Sequence, residues 1–240
     1  MFIKDNIIYT FILVILVCIP SSTLAVDKKA IEKTKVAYLT FDADMTPFMK
    51  KKLDEKKVST WYSKDLVNYL EDEKIPATIF VTGMFAEVYP DLIKDISKYP
   101  EIKIANHTYD HSGFESPCYG LKVVKTDKSK IEEIKKTQKI LQSLTGYEPK
   151  YFRYPGLCNN KHDDALVKKL GLEISNEGLA SGDAFNKDQV NITKTVVNGV
   201  QDGSVIIMHL GGPNAPAIDV SIKEIVIKLK AENYVFKVLD

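Results

Sequence analysis

The chain has 240 residues, 45% of them hydrophobic, so it is long enough to bury a sizeable core and of a size for one main domain. Its 33 basic and 32 acidic side chains leave a formal net charge of +1, which argues against nucleic acid as the main partner. Lysines cluster at Lys50-Lys51-Lys52 and along 122–130, but acidic residues are mixed among them, as on solvated faces.

In chain order, Met1-Phe2-Ile3-Lys4-Asp5-Asn6 precedes an apolar run over 7–19. Pro20-Ser21-Ser22-Thr23-Leu24-Ala25 and the charged Asp27-Lys28-Lys29 follow. This layout predicts a secretory signal over 1–25, cut after Ala25, and a single domain over 26–240. The run is short of the roughly 20 residues that span a bilayer. Membrane contact is therefore expected only through this segment if it stays uncleaved, and the protein is expected to be exported, periplasmic or secreted. Without the signal two cysteines remain, Cys118 and Cys158, and in an exported chain such a pair suggests a disulfide.

Beyond the signal, apolar runs and helical periods alternate. Strands are predicted over 36–41, 77–82, 102–105, 151–153, 172–175, 204–208 and 234–238. Helices are predicted over 63–74, 90–99, 130–144, 163–170, 190–200 and 221–231, with Gly146 and Gly171 as stops. The charged segment 50–57 reads as a loop, and Trp61 and Tyr62 read as loop anchors or packing residues. The alternation predicts an α/β fold, a parallel sheet with helices outside, closed or open. In such folds reactive groups gather where strands end. Asp42, Asp44, His107, His111, Arg153, Asp183 and His209 all lie at such ends.

Two of the four histidines, His107 and His111, sit four residues apart in Asn106-His107-Thr108-Tyr109-Asp110-His111. That spacing suits one face of a helical turn, from which both rings aim at one point. Neutral imidazole is the commonest metal-binding side chain, so the pair supplies two ligands and asks for a third, anionic one. Asp42 and Asp44 close the first strand: one of them could complete the site and the other act as a general base. His209 could protonate a leaving group. Arg153 could fix a carboxylate in its charged form.

The ordered set Thr40-Phe41-Asp42-Ala43-Asp44, His107-Thr108-Tyr109-Asp110-His111, Arg153-Tyr154-Pro155 and Ile207-Met208-His209 resembles the polysaccharide deacetylases of the NodB-homology class, carbohydrate esterase family four. Pro76 to Gly83 also looks like a family strand. Ala43 stands between two aspartates that are adjacent in the family. Gly156 takes the place of an aromatic, and Ser181-Gly182-Asp183-Ala184 lacks the family's tryptophan.

The resemblance implies a distorted parallel β/α barrel of about seven strands. It implies a metal-dependent hydrolase that removes N-acetyl groups from amino sugars of a glycan: peptidoglycan, a chitin-like polymer or an exopolysaccharide. Asp44, His107 and His111 would hold a divalent metal, most plainly Zn2+. Asp42 would be the base and His209 the acid, oriented by Arg153 and Asp183 respectively. Tyr154 and Gly156 would border the substrate and the oxyanion. Two other functions fit the same motifs: a catalytically impaired sugar-binding protein on this scaffold, and a metal-dependent amidase or esterase with a non-sugar substrate.

Overall fold

The computed structural model describes residues 33–240. The predicted signal over 1–25 lies outside the described residues. Among the described residues no helix is long and apolar enough to cross a membrane.

The sheet is parallel throughout. Its path runs β5 (Glu173–Ile174), β4 (Tyr151–Phe152), β3 (Ile102–Asn106), β2 (Ala77–Val81), β1 (Lys35–Ala43), β7 (Ser204–His209), β6 (Leu179–Ala180). β8 (Tyr234–Phe236) pairs with the first residues of β1, before β2 begins at Leu39. The path ends at β5 and β6, so seven strands form a curled half-barrel rather than the closed eight-stranded ring. β1 is the hub. Leu39, Phe41 and Ala43 are enclosed beside β2 and β7, and each large apolar side chain buried this way contributes about 1.5–3 kcal/mol.

Helices α1 (Pro47–Asp54), α2 (Lys64–Asp72), α3 (Gly83–Val88), α4 (Pro90–Ile96), α5 (Asp127–Thr145), α6 (Lys161–Lys169), α7 (Gln189–Gly199) and α8 (Ile218–Ala231) join the strands. Their starts follow capping chemistry: the side chains of Ser63, Thr82, Thr126 and Asn160 accept backbone N–H bonds at the first turns of α2, α3, α5 and α6. Gly146, left-handed at φ 81°, ends α5. The expected loop over 50–57 is instead largely helix α1. Thr46 caps it and Pro47 opens it. Its face is lysine-rich because only Met49 is buried. The short helix α3 and strand β6 were not expected either, since neither is long enough to show a period.

A second cluster packs Phe114, Ile134, Phe152, Tyr154 and Val167 between α5, α6 and the loop after β3. Beneath it Lys130 on α5 meets Asp163 on α6 at 2.6 Å, both buried. Cys118 and Cys158 are disulfide-bonded and tie the loop after β3 to the loop after β4.

Candidate active site

The carboxyl ends of β1, β3, β4 and β7 meet in one polar pocket. Asp42 is the penultimate residue of β1, paired in register with His209 of β7. Asp44 follows one residue beyond the strand. Because side chains alternate along a strand, Asp42 and Asp44 share a face and Ala43 turns into the core, where it is 1% exposed. The intervening alanine thus keeps both carboxylates pointing into the pocket.

His107 and His111 do not ride a helical turn, as their spacing suggested. They stand in an irregular loop leaving β3, with Thr108 at φ 65° and His111 at φ 62°. Asn106 organises that loop. Its Oδ1 accepts the Thr108 N–H at 3.0 Å while its amide donates to Ile134 O and Gln138 Oε1 on α5. The Glu133 carboxylate accepts the next two N–H groups, of Tyr109 and Asp110. The loop nevertheless turns both rings inward, with centroids 5.0 Å apart. Asn106 and Glu133 were missed in the sequence. The first was visible beside His107, but the second, a helix residue far along the chain, carried no signal.

Asp44 Oδ1 lies 3.3 Å from His111 Nε2 and 3.5 Å from His107 Nε2. Donor atoms of all three residues lie within 4.8 Å of one another. Asp44 Oδ1 and His107 Nε2 are buried with no hydrogen-bond partner, a costly state for polar atoms unless something between them satisfies both. His107 Nδ1 sits 2.9 Å from the Arg153 carbonyl. The Nδ1–H therefore donates there, and the Nε2 lone pair is left facing Asp44. One carboxylate and two imidazoles, one of them held from behind through its Nδ1, fit a divalent ion. Burial works against charge on His111 and holds its pKa near 4, so this ring is neutral and able to ligate at pH 7. For Asp44, burial opposes ionisation, but His111, His107 and His209 outweigh it and keep the carboxyl far below its ordinary range.

Asp42 takes a different partner. Its Oδ1 accepts from Arg153 Nη1 at 2.8 Å, and its Oδ2 is 3.8 Å from His107 Nε2. Arg153 is enclosed, stacked over the Phe80 ring at 4.0 Å, and its Nε donates to Ser175 O at 2.9 Å. Ser175, at the end of the β5 region, was not anticipated. On the far side, Asp183 accepts the His209 backbone N–H at 2.7 Å and pairs with His209 Nδ1 at 2.9 Å. Burial would discharge His209, but Asp183 foremost, then Asp44 and Asp42, push its pKa up to about 10. His209 Nε2 is left toward Asp44 Oδ2, at 3.7 Å.

The loop after His209 presses on the loop before α2. Gly211 is left-handed at φ 97°, and a Cβ there would lie 2.5 Å from the Ser63 Cβ, so glycine is needed both for the conformation and for the approach. Trp61 is buried, donating Nε1–H to Met49 O at 2.9 Å, and Tyr62 packs edge-on against Tyr89. Both anchor the loop, as expected. Tyr154 departs from expectation. Its side chain is fully enclosed, 4.8 Å from the Phe152 ring and 5.4 Å from that of Phe114, and its N–H donates to Asn176 Oδ1. It is a packing residue, because the second cluster claims its ring before any ligand can. Gly156 is left-handed at φ 59° against the disulfide.

A protein-family model described as polysaccharide deacetylase matches residues 29–175. The chain is 29% identical over 184 residues to an uncharacterized 30.6 kDa protein of Geobacillus stearothermophilus, an alignment covering 75% of this chain and 64% of that one. It is 28% identical over 182 residues to the peptidoglycan-N-acetylglucosamine deacetylase of Bacillus cereus, covering 74% and 62% respectively. The chain thus spans somewhat under two thirds of the length of these curated relatives. The solved structure of a family 4 acetyl xylan esterase from Clostridium thermocellum, in complex with a cobalt ion, shares the fold: TM-score 0.67 at 22% identity, over 85% of this chain and 88% of that one. With the family model matched over more than half its length, the chain belongs to the polysaccharide deacetylase family.

Proposed function

We propose that the protein is a metal-dependent hydrolase that removes N-acetyl groups from the amino sugars of a glycan, with peptidoglycan as the substrate class. The observation that carries this reading is the pair of buried, unpartnered atoms, Asp44 Oδ1 and His107 Nε2, beside His111 and flanked by a carboxylate and an imidazole on separate partners. The Bacillus cereus relative, named for this activity, and the family membership support it.

Asp44, His107 and His111 would hold the ion, and the nitrogen-rich donor set favours zinc. When bound, such an ion supplies Lewis acidity to the acetyl carbonyl and lowers the pKa of water at the site. Asp42, steadied through Oδ1 by Arg153, takes the proton of the attacking water on Oδ2. As the amide C–N bond breaks, His209 gives its Nε2 proton to the departing sugar nitrogen, and acetate and a free amine result. Asp183 holds His209 in the charged form for that transfer. The backbone N–H of Gly156 would meet the oxyanion. The signal over 1–25 would export the enzyme to the wall.

Acetate release from N-acetylated amino-sugar oligomers and from peptidoglycan tests the reading. Release should vanish with chelator and return with zinc. No release from any of these, with any of several divalent metals, refutes it.

A further inference from the structure

Two aromatic side chains on loops next to the pocket bury almost nothing. Tyr119 is 89% exposed and Phe185 is 77% exposed. Both have left-handed backbones, φ 47° and φ 54°, a conformation that glycine or asparagine adopts readily and aromatic residues rarely do. An aromatic that buries almost nothing in an unfavourable backbone has no reason in stability to be there. Both belong to the loops that carry the pocket residues. Tyr119 adjoins Cys118 of the disulfide, and its ring edge lies 3.1 Å from where a Cβ of Gly156 would be. Gly156 is three residues from Arg153. Phe185 is two residues beyond Asp183, and its N–H donates to Asn214 O in the loop after His209, at 2.7 Å.

Tyr119 therefore sits at the β4 flank of the pocket and Phe185 at the β6 flank. Between them the sheet order places β3, β2, β1 and β7, five strand spacings or about 24 Å along the curve. Two separate rings on opposite flanks are not the contiguous apolar patch that a second copy of the chain would cover. They fit a linear ligand with repeated planar apolar faces and polar edges, which is what a chain of sugar rings offers.

We infer that Tyr119 and Phe185 are stacking platforms for sugar rings on either side of the residue being deacetylated, so that the enzyme selects long glycan chains over short ones. This rests on the proposed deacetylase reading and names its specificity residues. Each platform acts on binding, so the effect falls on KM and grows with chain length.

The test uses the full metal-loaded chain with linear dimers and hexamers of β-linked N-acetylglucosamine. In Tyr119→Gly/Phe185→Gly, kcat/KM for the hexamer should fall by about 5- to 100-fold, chiefly through KM, and that for the dimer by clearly less. Tyr119→Phe and Phe185→Tyr should retain wild-type values, whereas Tyr119→Leu/Phe185→Leu, which keeps apolar side chains without a ring face, should behave like the double glycine variant. Calorimetry of hexamer binding in a His209→Ala background repeats the comparison without turnover. Wild-type hexamer KM and affinity in the double glycine variant overturn the inference, as do equal losses on dimer and hexamer. A concentration-dependent dimer that the double variant dissolves would assign the rings to a second copy and also overturn it. If the wild type releases no acetate, the deacetylase reading fails on its own, and the calorimetric comparison still decides between platforms and bare rim.

Discussion

Arg153→Met separates the ion pair of the pocket from its packing. The arginine is fully enclosed, and methionine keeps much of its stem against Phe80. What disappears is the 2.8 Å bond to Asp42 and the 2.9 Å bond to Ser175 O. Asp42 is only 6% exposed and has no other positive partner at that distance, so its carboxylate is stranded. Breaking a buried pair from one side costs about 3–5 kcal/mol, because the remaining charge stays desolvated. That is a large share of the roughly 5–15 kcal/mol stability of a domain. Urea unfolding of the metal-free protein at pH 7 measures it without interference from ion binding. Adding Asp42→Asn removes the stranded charge, so the double variant should be more stable than Arg153→Met alone, and the two losses should fall short of additive by at least about 1 kcal/mol. A loss below about 1 kcal/mol in the single variant, or strict additivity, would falsify the claim that Arg153 is present to neutralise Asp42.

Asp183→Asn should move the alkaline limb of the kcat/KM profile to lower pH, because removing the anion lowers the raised His209 pKa and discharges the ring sooner as pH rises; an unmoved limb rules out His209 as the acid. His107→Ala should abolish zinc retention after dialysis, read by metal analysis, while circular dichroism stays native; full metal occupancy would contradict the ligand set. Reduction of Cys118–Cys158, or Cys118→Ser, opens a loop of sequence separation 40 and should cost about 4 kcal/mol on the chain-entropy estimate, seen as a lower thermal midpoint under reductant. Burial opposes ionisation of Asp110, but Lys122 at 2.7 Å and Ser112 hold its carboxyl below the usual range. That stabilisation is present above about pH 4 and is lost as pH falls through the folded value. The stability gap between wild type and Lys122→Met, about 0.5–1 kcal/mol for so exposed a lysine, should therefore close in acid.

Much of this is legible in the sequence. β1 and β7 are long apolar runs, buried on both faces, and such runs announce themselves. The residues of the pocket could be found because each lies at the end of a strand or within a few residues beyond it. What stayed hidden was hidden for physical reasons. α1 looked like a loop because a helix that buries one residue carries no apolar period, although Thr46-Pro47 marked its start. The histidine spacing matched a helix by coincidence, since the left-handed turns at Thr108 and His111 depend on Asn106 and on Glu133 of a distant helix. The sequence also left open which aspartate faces the histidines. Alternation puts both on one face, and their partners tell them apart: Arg153 reaches Asp42, while Asp44 lies beside His111. Tyr154 looked like a substrate contact only because its neighbours in sequence belong to the pocket.

Arg153 steadies the His107 ring through its carbonyl and Asp42 through its guanidinium, whereas His209 answers to Asp183 on another strand. Under the proposed roles, the two halves of the reaction hang from separate frames. Proton removal and ion holding share one hinge and must drift together. Proton delivery has its own support, so a variant with a shifted alkaline working range is best sought around Asp183 beyond β6, the side away from Arg153.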